Sequence, residues 1–196
     1  MGYILLGVLG FIAGYGFELA SAKRVAQLKP VLAVAVAGLL TYSTVMVGMD
    51  SGRFWLPAWL QAVGGIILPV SLLLLLFSMF LELPFVATYR SRTGSPRLVT
   101  TGTYALVRHP TVAWYVLMLG SLLLLTRSEL LLVALPVWVL LDVIWVVLQE
   151  RLHLTRVFPE YAAYQRTTPM LIPNRRSIPA FIRSLRSIRR QIAQRG

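Results

Sequence analysis

Thr126-Arg127-Ser128-Glu129 is a short polar break between two apolar runs, residues 111–126 and 129–149. Each run approaches the roughly 20 residues that a helix needs to cross the hydrocarbon core of a bilayer. So short a break sends the second helix back alongside the first, and the two are expected as an antiparallel hairpin. Working outward, further apolar runs fall at 3–20, 30–49 and 55–86. In the third, which holds Pro57, Pro69 and Pro84, residues 54–60 read as an interfacial stretch and 61–85 as the span, with a kink expected near Pro69. The fold class that follows is an all-α integral membrane protein with five transmembrane helices. Met1-Gly2-Tyr3-Ile4 carries neither a basic n-region nor a cleavage site, so the first run is expected as a retained span, not a removable signal.

Composition supports the same class. The chain is 57% hydrophobic and only 13% charged, whereas a soluble domain carries roughly a quarter charged residues. Its 196 residues suit one membrane domain. Within it, 1–86 is expected as a scaffold of spans one to three, 87–176 as the region that holds the candidate site, and 177–196 as a basic tail. The absence of cysteine excludes disulfides, thiolate metal sites and a cysteine nucleophile. With only two histidines, no dedicated transition-metal site is expected.

Charge sets the orientation. Lys23, Arg24 and Lys29 flank the first turn, Arg90, Arg92, Arg97 and Arg108 lie in 86–110, and ten arginines follow residue 150. Five spans place all of these on one side, leaving only Arg53 and Arg127 opposite. The positive-inside rule then puts the N-terminus outside and the 86–110 segment and C-terminus in the cytoplasm. The expected location is a multi-pass position in a prokaryotic cytoplasmic membrane. A formal net charge of +12 invites a nucleic-acid reading, but the cations flank apolar spans and crowd the C-terminus. Topology and anionic lipid explain them better, and no nucleic-acid partner is expected. From Ser177, Ile178, Phe181, Ile182, Leu185, Ile188 and Ile192 recur at helical spacing against Arg183, Arg186, Arg189 and Arg190. This predicts a basic amphipathic helix laid on anionic membrane lipids.

The candidate site lies at Leu98-Val99-Thr100-Thr101-Gly102-Thr103-Tyr104-Ala105-Leu106-Val107-Arg108-His109-Pro110, polar chain set directly against a span. Pro110 disfavours helix at the residue before it and suits a first helical turn, so His109 is expected just outside the helix it precedes. There the unpaired N–H groups and the helix dipole favour an anion. Arg108 adds a forked donor for carboxylate or phosphate. Gly102 marks a turn that lets backbone approach a ligand closely. Counted from the hairpin turn, His109 and Glu150 differ in depth by only about 6 Å at 1.5 Å per residue, which predicts one membrane face for both. Tyr161 and Tyr164, three apart, share a helix face that caps the site. Charge within a span is costly; Glu18 and Glu82, near span ends, are expected to face water, and Asp142 to pack against a polar neighbour.

These blocks, together with Gln149-Glu150, Tyr161-Ala162-Ala163-Tyr164 and Thr168-Pro169-Met170-Leu171-Ile172-Pro173, resemble the isoprenylcysteine carboxyl methyltransferase and phospholipid methyltransferase superfamily over residues 88–173. Val112 and Trp114 stand where that pattern usually has Tyr and Gly, and Gln149 where it has the first Glu of a pair. The resemblance implies an integral membrane methyltransferase using S-adenosylmethionine, with a lipophilic or lipid substrate arriving from the bilayer. It implies cofactor binding by Gly102, Tyr104, Arg108, His109, Pro110, Tyr161 and Tyr164, and catalytic roles for Glu150 and Arg108. The competing reading is a non-catalytic membrane protein that binds lipid or a partner on the same scaffold. A membrane reductase ranks below both, because the chain is short for one and has no further nicotinamide fingerprint.

Overall fold

The structure is a computed structural model that describes residues 1–23, 25, 27–82 and 98–193, with side chains through Arg186. The expectations placed on Arg24, Pro84, Arg90, Arg92 and Arg97, and on the side chains of Ile188, Arg189, Arg190 and Ile192, lie outside the described residues. Among the described residues the regular elements are helices, joined by one isolated bridge between Arg53 and Ser128. They are α1 (Gly2–Ala22), α2 (Leu28–Gly48), α3 (Ala58–Leu76), α4 (Pro110–Thr126), α5 (Glu129–Gln149), α6 (Tyr161–Thr167) and α7 (Ser177–Ala193). A π-helical turn, Phe77–Glu82, extends α3, and another, Glu150–Leu154, extends α5.

Among the described residues, four helical stretches are long and apolar enough to cross a membrane: Gly2–Ala22, Leu28–Gly48, Ala58–Glu82 and Glu129–Val157. The remaining expected span is α4, whose 17 residues extend about 26 Å and sit at the short end of the spanning range. Both Pro69 and Pro136 lie inside continuous helices, α3 and α5.

The chain forms two compact units, Met1–Leu72 with Tyr115–Arg156, and Leu73–Trp114 with Val157–Gly196. In the first, α1 packs on α2 and α5. The core collects Ile4, Phe11, Val47, Leu119, Leu131, Ala134 and Trp138. Trp138 is wholly buried over Gly7, and its indole N–H donates to the Ile4 carbonyl at 3.3 Å. Gly14, two turns along the same face of α1, seats Trp145 in the same way. Without side chains at these two positions, helix and indole come into contact, the packing that membrane helices use in place of a hydrophobic drive. Gly64 of α3 does likewise: a Cβ there would lie 2.7 Å from Leu125 N and Ser121 O of α4.

Glu18 does not face water as the sequence suggested. It is 1% exposed, and its Oε1 accepts from the Trp145 indole N–H at 3.1 Å. Its place near the helix end pointed to solvent, but the large Trp145 ring seated over Gly14 closes the position and supplies a donor.

The hairpin turn forms through two features of its sequence. Arg127 adopts a left-handed φ of 56° that ends α4. Ser128 then caps α5, accepting from Leu131 N at 3.1 Å, while its hydroxyl donates to the Val47 carbonyl at 2.7 Å. Two backbone bonds, Phe54 N to Arg127 O and Glu129 N to Gly52 O, each 3.1 Å, fasten the turn to the loop between α2 and α3.

Candidate functional site

The second unit gathers seven of the eight predicted site residues: Gly102, Tyr104, Arg108, His109, Pro110, Tyr161 and Tyr164. Glu150 belongs to the first unit, where it is buried at the head of the π-turn that extends α5.

Helix α4 begins at Pro110, as the proline dictates. The two residues before it pair with a distant segment. Arg108 N donates to Pro169 O at 2.9 Å and His109 N to Met170 O at 3.1 Å. His109 is buried, 5% exposed, at the foot of the helix. The Arg108 guanidinium turns toward the C-terminal end of α6. Its Nη1 donates to Thr168 O at 2.6 Å and to Gln165 O at 3.3 Å. Carbonyls at a helix C-terminus lack intrahelical partners and carry partial negative charge, so a cation there satisfies and stabilises them. These bonds also fix the orientation of the guanidinium.

Helix α6 turns its tyrosines inward. Tyr161 and Tyr164 are both buried and meet edge to face, with ring centroids 5.8 Å apart. The Tyr164 hydroxyl donates to the Tyr104 carbonyl at 2.6 Å. Tyr104 lies in a 3-10 turn, Gly102–Ala105, and its own hydroxyl donates to the Ser78 carbonyl at 3.3 Å. Burial, then the nearby Glu82 carboxylate and Tyr164, push the Tyr104 phenol far above its ordinary pKa. It therefore remains a protonated donor across the accessible pH range.

Gly102 lies in a turn, as its place in the sequence suggested, and has a positive φ of 62°. What approaches its backbone is a side chain of the same protein. Glu82 Oε1 accepts from Thr103 N at 2.8 Å, and Oε2 accepts from the Thr103 hydroxyl. A Cβ on Gly102 would collide with that carboxylate. Glu82, half-buried, therefore caps the turn, where the sequence suggested only a carboxylate facing water. The Gly102 N–H itself donates to the Ser184 hydroxyl of α7 at 2.7 Å.

Ser78, Thr168 and Ser184 were not legible as site residues. Ser78, wholly buried in the π-turn, accepts from the Trp114 indole N–H at 3.0 Å and lies 3.3 Å from the Thr103 hydroxyl. The departure from the family pattern at Trp114 was the available signal: a large donor in place of glycine needs an acceptor. For Ser184 the signal was its seven-residue spacing from Ser177 within an otherwise apolar face.

Arg108 and His109 stand beside the N-terminus of α4, a setting that favours an anionic group, and the buried rings of Tyr104, Tyr161 and Tyr164 belong to the same unit. No curated protein and no solved structure matches the chain. The family model for phospholipid methyltransferase matches residues 60–161, more than half of the chain. That span includes the 3-10 turn, the Arg108-His109-Pro110 corner, the hairpin and Glu150, so the chain belongs to the phospholipid methyltransferase family, within the superfamily of integral membrane methyltransferases.

Proposed function

We propose that the protein is an S-adenosylmethionine-dependent methyltransferase acting on a lipophilic, membrane-associated acceptor, as the isoprenylcysteine carboxyl methyltransferases do. One observation carries the reading. The Arg108–His109 backbone is hydrogen-bonded to Pro169–Met170, so the two sequence blocks that carry the resemblance meet in space.

In this reading Arg108 and His109, at the start of α4, bind the carboxylate of the methyl donor. Tyr104, Tyr161 and Tyr164 supply aromatic walls, and Gly102 and Pro110 set the backbone that carries these groups. The donor supplies an electrophilic methyl on sulfur, whose transfer depends above all on alignment. Glu150 orients the acceptor. It also accepts a proton if the acceptor is an amine or thiol, whereas a carboxylate acceptor needs no base. The chain crosses the membrane five times, with the N-terminus outside and these residues on the cytoplasmic side. That arrangement keeps seventeen of the 19 basic residues on one face.

Titration calorimetry on the purified protein tests the reading. S-adenosylmethionine should bind, and His109→Ala should weaken binding by about 10- to 100-fold, the range for a lost charge-assisted hydrogen bond. Glu150→Ala should reduce turnover more than binding. Folded protein that takes up no S-adenosylmethionine would remove the proposal.

A further inference from the structure

Helix α7 has three distinct faces. Ser177 is buried, and Ser184, two turns on, bonds to Gly102 N; at about 100° per residue the two share one side, and that side rests on the 3-10 turn. Ile178, Ile182 and Leu185, at 47%, 45% and 47% exposed, form a second, uncovered apolar stripe. Arg183 and Arg186 are exposed on the third. The helix starts cleanly for a local reason: Asn174 Oδ1 accepts from Arg176 N and Ser177 N, both at 2.9 Å.

An uncovered apolar stripe beside a cationic one fits the boundary between acyl chains and anionic headgroups. Charge complementarity chooses the occupant. The helix carries four arginines and no acidic residue over 177–193, and the same chain has membrane-spanning helices, so an anionic leaflet is close at hand.

We infer that α7 senses membrane surface charge: its apolar and arginine faces bind anionic phospholipid, and the Ser184–Gly102 hydrogen bond passes that binding to the Gly102–Ala105 turn. The inward face stays on the turn while the outer two engage lipid, so anionic lipid tightens the turn. The inference extends the methyltransferase reading to its regulation, because the turn carries Gly102 and Tyr104. Its test needs neither methyl donor nor turnover, so either idea can fail alone.

The experiment is backbone hydrogen exchange on the full-length protein in nanodiscs of phosphatidylcholine alone or mixed with phosphatidylglycerol. Phosphatidylglycerol should slow exchange over 177–186 and at 102–105 together, and added salt should reverse the effect. The double variant R183Q/R186Q should weaken the lipid response about 30-fold, since each cation near an anionic surface contributes about a factor of five. Ser184→Ala should keep the response in α7 and lose it at 102–105, and Ser184→Thr, which retains a hydroxyl, should restore it. Equal exchange in the two lipids overturns the inference. So does a response that survives R183Q/R186Q, or a turn that still responds in Ser184→Ala.

Discussion

The Tyr164 hydroxyl reaches the Tyr104 carbonyl at 2.6 Å across 60 residues of sequence. Both residues are buried, so neither group can exchange this bond for water. Tyr164→Phe should therefore strand a carbonyl in the interior and destabilise the protein by about 1–3 kcal/mol. Thermal unfolding in detergent micelles reads the loss, and an unchanged midpoint would show that the bond contributes nothing.

Gly102 and Glu82 should behave as one unit. Gly102→Ala places a side chain at a left-handed φ, costing about 1–2 kcal/mol, and also drives its methyl into the Glu82 carboxylate. Glu82→Ala removes the cap from Thr103. In the double variant the collision is gone, so its destabilisation should fall short of the sum of the single changes. Simple additivity in a double-mutant cycle would contradict the contact.

Arg108 is predicted to act on α6 whether or not a ligand is bound. Arg108→Ala frees the Thr168 and Gln165 carbonyls and should speed hydrogen exchange over 164–170. Arg108→Lys should give an intermediate result, because an ammonium keeps the charge but not the fork. A purely ligand-binding arginine would leave exchange in the free protein unaltered.

Glu18→Gln retains an oxygen for the Trp145 indole and should change stability by less than about 1 kcal/mol, whereas Glu18→Ala strands the indole N–H at about 1–3 kcal/mol. Unfolding of both variants, with Trp145 fluorescence as a local probe, distinguishes an acceptor role from simple space filling.

Much of the helical framework was legible before any coordinates. The apolar runs, Pro110 at the start of α4, the Arg127–Ser128 turn and the amphipathic tail all depend on residues within a few positions of one another. Tyr161 and Tyr164 share a helix face for the same reason. Less legible were the groups that occupy the site's own hydrogen-bonding positions. The sequence marks Gly102 as a place where backbone approaches a ligand, and the turn does form. Its neighbour across the turn is Glu82, twenty residues upstream in a π-turn that no periodicity announced. Arg108 suits an anion by its residue type, yet part of its guanidinium closes the end of α6.

From sequence alone came the membrane class, the hairpin, the helix starts and the family's motif blocks, because hydropathy, proline geometry and charge act locally along a chain. Tertiary structure alone decided which donor meets which acceptor: Glu82 with Thr103, Ser184 with Gly102, Tyr164 with the Tyr104 carbonyl. Buried polar groups must find partners wherever the fold brings them, and that proximity is a property of packing rather than of neighbouring residues.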